Sequence, residues 1–106
     1  VVSGDVDIVT DGAMSYRVRN GHPMMRSVTG TGCQMSVLIG AYAAANSDKP
    51  LRAALAGVCG LGLGGEIAHS RLTPLDGNAS YRNYIMDAVY HLSGEALEGG
   101  ARYEIC

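Results

Sequence analysis

The stretch Pro50 to Arg71, PLRAALAGVCGLGLGGEIAHSR, limits the folds open to this chain more than any other. Pro50, following Ser47 and Asp48, stands where prolines open helices, so the sequence predicts a helix over about 51–71. Ala53, Ala54, Ala56, Gly57, Gly60, Gly62, Gly64, Gly65 and Ala68 leave that helix hardly any side chain. Each glycine costs up to ~1 kcal/mol relative to alanine. Such a cost is tolerated where another backbone or a ligand must come close, so this helix belongs in a packed interior. Five glycines interrupt the apolar run between Arg52 and Glu66, and it does not read as a membrane span.

A second helix, predicted over about 33–45, follows directly on Val28-Thr29-Gly30-Thr31-Gly32-Cys33. The first N–H groups of a helix lack internal partners, and the helix dipole places about half a positive charge there, which welcomes an oxyanion or phosphate. The glycines let the backbone turn its amides inward and admit a ligand without a Cβ in the way. The plainer alternative is an ordinary cap, with Thr29 or Thr31 supplying the oxygen. Cys33 falls in the first helical turn, where a thiolate is favoured.

Ahead of this turn, Val1-Val2 reads as a short buried strand ending at Ser3-Gly4, either a simple turn or the kind of strand end where open α/β sheets bind ligands. Val6–Thr10 and Met14–Arg19 flank Asp11-Gly12, a strong hairpin signal, with Met14, Tyr16 and Val18 facing inward and Ser15, Arg17 and Arg19 outward. This predicts an edge hairpin. Asn20-Gly21-His22-Pro23 breaks the strand, and His22 is either a base partner for Cys33 or an exposed loop histidine. Glu66 and His69, three residues apart, are either ligands or a solvated helix end. A third helix is predicted over about 79–92, with Tyr81, Ile85, Ala88, Val89 and Leu92 as its core stripe. A short helix then runs to Gly99-Gly100, and 101–106 ends as a strand or a tail.

The length of 106 residues suits one domain. Charged residues make up 17%, below the usual ~25%, so part of this surface is expected to be covered by more chain or another subunit. A start at Val1 with a strand already in progress reads as the C-terminal portion of something longer. A net charge of −2 and eight Lys and Arg argue against a nucleic-acid surface. Cys33, Cys59 and Cys106 show no C-x-x-C and no zinc-ligand spacing, which suits a reducing cytoplasm and gives no metal ligands.

Taken together, Val1–Gly12, then Arg19-Asn20-Gly21-His22-Pro23, then Val28-Thr29-Gly30-Thr31-Gly32-Cys33 resemble the C-terminal part of the hydroxyethylthiazole kinase family. The likeness extends over essentially the whole chain and continues in the Asp87–Leu92 helix. It implies an α/β fold, the C-terminal part of a ribokinase-like three-layer α/β/α sandwich spanning 1–106 as part of a single domain. It also implies ATP-dependent phosphorylation of the hydroxyethyl side chain of a thiazole alcohol in thiamine biosynthesis. Ser3, where the family usually has Thr, would contact ATP, and Gly30 would contact the thiazole substrate. Gly30, Thr31, Gly32 and the Cys33 N–H would form an anion hole for the transferring phosphoryl. Cys33 stands where other ribokinase-like kinases carry an Asp base.

Asp76-Gly77-Asn78-Ala79-Ser80-Tyr81 departs from the family's usual loop, so no site residue is expected there. The resemblance further implies that the residues associated with Mg2+, and most of the thiazole pocket, belong to an N-terminal part of the same enzyme. A cytoplasmic homotrimer with active sites between subunits follows from the same likeness, and these 106 residues alone are expected to be inactive. Three other readings stay open: another ribokinase-like small-molecule kinase, a thiol enzyme using a Cys33–His22 pair, and a non-catalytic fragment that packs against a partner chain.

Overall fold

The computed structural model describes residues 1–106. Its elements run β1 (Asp7–Thr10), β2 (Ser15–Val18), a 3-10 helix (Pro23–Ser27), α1 (Thr31–Ala45), α2 (Pro50–Arg71), α3 (Asn78–Tyr90), α4 (Gly94–Gly100) and β3 (Tyr103–Ile105). The strands form one antiparallel sheet in the order β1-β2-β3, with Val9 opposite Tyr16 and Val18 opposite Tyr103. The expected hairpin is present, and the C-terminal residues supply a third strand on its β2 side.

The hairpin loop is longer than a two-residue turn. Asp11 to Met14 connect the strands, and the Asp11 carboxylate accepts the amides of Ala13 at 2.9 Å and Met14 at 2.8 Å. Those two bonds hold the carboxyl below the usual carboxylate range. Gly12 takes φ +92°, a conformation open to glycine at little cost. The expected buried strand at Val1-Val2 reduces to a single bridge between Val2 and Ile8, and both valines are exposed because nothing in this chain packs over them.

The predicted interior helix, α2, is the centre of the fold. Half of its 22 residues are buried. Leu55, Val58 and Cys59 pack with Val9 and Val18 of the sheet, and Leu61 and Ala68 pack with Val28, Tyr81 and Ile85. One helix thus serves two cores, with the sheet on one flank and α3 on the other, while α1 runs against it. α2 has the length and apolarity of a membrane span, but it is the core helix of this fold.

Glycine makes the close packing possible. A Cβ added at Gly57 would come within 2.8 Å of the Ile39 side chain, and one at Gly62 within 2.7 Å of Asn20 Cβ and 2.8 Å of its carbonyl carbon. Helix propensity favours alanine by up to ~1 kcal/mol, but overpacking against an immovable backbone costs ~1–3 kcal/mol. The steric term wins at these positions.

α1 differs from the other long helices. It contains no charged residue, yet none of its 15 residues is buried, and Val37 is 73% exposed. This accords with the expectation from the low charge content that more polypeptide covers the chain.

Gly62→Ala should lower the unfolding free energy by about 1–3 kcal/mol. Gly99→Ala, on α4 where an added Cβ meets nothing within 4 Å, should be neutral or raise it by up to ~1 kcal/mol. Denaturant titration of the two variants checks the contrast.

Candidate active site

A cavity of about 620 Å³ opens where four segments meet: the Ser3–Asp5 loop, the Arg19–His22 end of β2, the 3-10 helix and the start of α1. Ser3 and Gly4 line it from one side, and Thr31 and Gly32 from another. Gly30 and Cys33 flank these without lining the cavity, and the Cys33 side chain is exposed.

The start of α1 is uncapped. Gly30 is the N-cap at φ +94°, and no side chain accepts a bond from the leading amides, so neither Thr29 nor Thr31 acts as the ordinary cap. The first intrahelical bond runs from the Gln34 N–H to the Gly30 carbonyl at 2.9 Å. That leaves the preceding amides of the first turn without helix partners. A Cβ at Gly32 would meet nothing within 4 Å, so the space beside it is open toward the cavity that Gly32 lines. α1 begins two residues earlier than the sequence predicted because Gly30, in the left-handed conformation, turns the chain directly into the helix at Thr31.

Each arginine on the cavity wall has a carboxylate partner: Arg26 pairs with Asp5, and Arg19 with Glu104 at 3.0 Å. Asp7 also lines the cavity and is only 8% exposed. Burial pushes its carboxyl above the usual range, opposed by a 3.0 Å bond from the Gly4 amide. Behind the sheet, burial with help from Asp7 pushes the Cys59 thiol up to about 11, leaving it unreactive near neutrality.

The wall is fixed from behind by Asn20, which is 7% exposed. Its amide nitrogen donates to Glu66 at 2.7 Å and to the Gly100 carbonyl at 2.9 Å, and its amide oxygen accepts the Arg102 N–H at 2.7 Å. Glu66 also accepts the Gly21 N–H at 3.3 Å and pairs with the Arg102 guanidinium. The reading of a solvated helix end therefore holds for His69, which is exposed, and fails for Glu66. Tertiary contacts turn Glu66 inward onto Asn20, and His69 stacks on His22.

His22 is not an exposed loop residue. It is half-buried, lines the cavity, and uses Nδ1 to accept the Met24 N–H at 3.1 Å. With that nitrogen engaged and no hydrogen bond to Cys33, the pair required of a thiol enzyme is not formed.

Asn20 and Asp7 were the site residues that sequence reasoning missed. The alternation that puts Tyr16 and Val18 inward carries on to residue 20, so a polar side chain on a buried face was a readable signal. At Asp7 the surrounding run, Val6 to Val9, is too uniformly apolar to show a face.

Against known proteins, the hydroxyethylthiazole kinase family model matches residues 1–95. The hydroxyethylthiazole kinase of Clostridium acetobutylicum is 50% identical over 97% of this chain and 38% of its own length. The enzymes of Desulfotalea psychrophila and Granulibacter bethesdensis are 44% and 47% identical over 95% and 96% of the chain, each over 36% of its own length. The chain thus spans well under half the length of these curated relatives. A hydroxyethylthiazole kinase protein from Pyrococcus horikoshii superposes with a TM-score of 0.88 at 30% identity, covering 99% of this chain and 39% of that one. The architecture is that of the matching part of a ribokinase-like kinase.

Asn20→Ala would leave the Gly100 carbonyl and the Arg102 amide without their partner. The unfolding free energy should fall by about 2–3 kcal/mol, measured by urea titration. In thiol labelling of the native chain, Cys33 and Cys106 should react and Cys59 only after unfolding, as counted by mass spectrometry.

Proposed function

The chain belongs to the hydroxyethylthiazole kinase family, and from that premise we propose that it supplies the phosphate-side wall of an enzyme that transfers phosphate from ATP to the hydroxyethyl group of a thiazole alcohol in thiamine biosynthesis. The observation that carries this reading is the uncapped start of α1, opening on a cavity shared with Ser3.

Phosphoryl transfer passes through a loose transition state, so its catalysis is mainly positioning and stabilisation of charge on the equatorial oxygens. The Thr31, Gly32 and Cys33 amides, with the dipole of α1 behind them, form the anion hole in this reading. Gly30 turns the backbone toward the thiazole alcohol, and Ser3 donates its hydroxyl to the nucleotide. As the alcohol oxygen bonds to the γ-phosphorus and ADP departs, the alcohol proton passes to the thiolate form of Cys33, just outside the cavity lining, giving the thiol. The electrons of the broken phosphoanhydride bond leave with ADP.

Within this chain no group of three His, Cys, Asp or Glu side chains is placed to hold a metal ion. As the family likeness implies, Mg2+, which would neutralise charge on the phosphates when bound with ATP, is assigned to acidic residues of the N-terminal part of the enzyme. The uncovered apolar face of α1 supports a reading in which that part, or another subunit of a homotrimer, packs over it. A single domain completed by the N-terminal part and a cytoplasmic location complete the proposal, with this chain inactive alone.

A bulky residue at Gly32 fills open space, so it should abolish activity while sparing the fold. On the complete enzyme, Gly32→Leu should lower kcat/KM by about 1,000-fold with little change in Tm, and Cys33→Ala by about 100-fold. Steady-state kinetics that rank the two in the opposite order would overturn the division of roles.

A further inference from the structure

Thr29 and Gly30, which deliver the chain to the start of α1, follow the 3-10 helix Pro23–Ser27 after Val28, and the fold ties down both ends of that helix. At its far end Val28 is buried against Leu61, Tyr81 and Ile85, and the Asn78 side chain donates to the Ser27 carbonyl at 3.2 Å. At its near end the only side-chain cap is His22, through the bond from the Met24 N–H to Nδ1, reinforced by the Met25 N–H on the His22 carbonyl at 2.9 Å. An acceptor Nδ1 must be unprotonated, which fixes the proton on Nε2. The ring lies on His69 with centroids 3.6 Å apart and planes at 18°. His69 in turn meets the edge of Tyr81, whose hydroxyl donates to the Gly65 carbonyl at 2.9 Å.

We propose that His22 is a positioning residue for the phosphate-binding wall. Its neutral imidazole caps the 3-10 helix that carries the chain to Gly30, Thr31 and Gly32, and protonation of Nδ1 sets two donors against each other and loosens that helix. This rests on the kinase reading of the cavity and adds to it a residue that touches no reacting atom.

The charges around His22 bear on the direction of the effect. His69 stacks on it from α2, the Glu66 charge acts on it from the same helix, Arg26 lies on the 3-10 helix itself, and Arg19, Asp5 and Asp7 line the same cavity. Burial first, and then His69, lower the His22 pKa from the ordinary histidine value, while Glu66 opposes them. A histidine so lowered binds fewer protons folded than unfolded between the two pKa values. The cap is therefore intact above the ordinary value of about 6.5 and is lost as the pH falls through the lower folded one.

The test uses the complete enzyme, this chain together with its N-terminal part, with ATP and the thiazole alcohol as probes. KM for ATP should rise as the pH falls below the ordinary histidine value and through the lowered one of His22, and the Met24 amide resonance should move with the His22 titration. His22→Ala should raise KM about five-fold at pH 7.5. His22→Asn, whose side-chain oxygen accepts the same amide but does not titrate, should rescue that loss and flatten the acid rise. An Asn variant that keeps the acid rise, or an Ala variant matching the wild type at pH 7.5, overturns the proposal. If the wild type transfers no phosphate to the alcohol, the kinase reading fails, and the Met24 resonance still decides the cap: movement with His22 supports it, and a fixed position refutes it.

Discussion

The backbone approach between α2 and Asn20 is the constraint on which the site depends. Gly62 leaves no side chain at the crossing, so the helix comes close enough for Glu66, one turn further on, to accept from both Asn20 and Gly21. A buried amide with every polar atom bonded specifies its surroundings narrowly, because each partner it loses costs a desolvated group. Asn20 joins the end of β2, the end of α4 and the flank of α2 through one side chain. The cavity wall is therefore tied to the interior through Asn20.

From that fixed point the chain reaches the start of α1 in one continuous path. Gly21 and His22 follow Asn20, the 3-10 helix follows His22, and Val28 re-enters the core before Gly30 turns into α1. The free amides of α1 thus follow two buried anchors, Asn20 and Val28, which are both on the sheet-to-helix connection. This arrangement places a polar cavity, lined in part by Gly4, Gly21, Gly32 and Gly62, beside an otherwise apolar core.

The secondary structure was legible because its signals are local. The Asp11-Gly12 hairpin, Pro50 at the start of α2 and the stripe of Tyr81, Ile85 and Val89 in α3 all follow from short-range preferences, and all are present. Two expectations failed for one reason. Glu66 looked like part of a solvated helix end, and His22 like an exposed loop residue, because the groups they meet, Asn20 and His69, lie more than 40 positions away and no local pattern announces the pairing. Asn20 was within reach, since the strand's alternation points residue 20 inward, but only the coordinates show the three groups that satisfy it.

The sequence by itself determined which segments become strands and helices, that α2 must be interior, and that a glycine-rich turn precedes α1, since each rests on backbone preference and side-chain volume. Tertiary structure alone decided whether that turn caps its own helix or opens on a cavity. Threonines stand on both sides of Gly30, and either could have capped the helix. What leaves the amides free is the left-handed Gly30, held by anchors tens of residues away on α2 and α3, and such long-range packing is fixed only when the whole chain has folded around it.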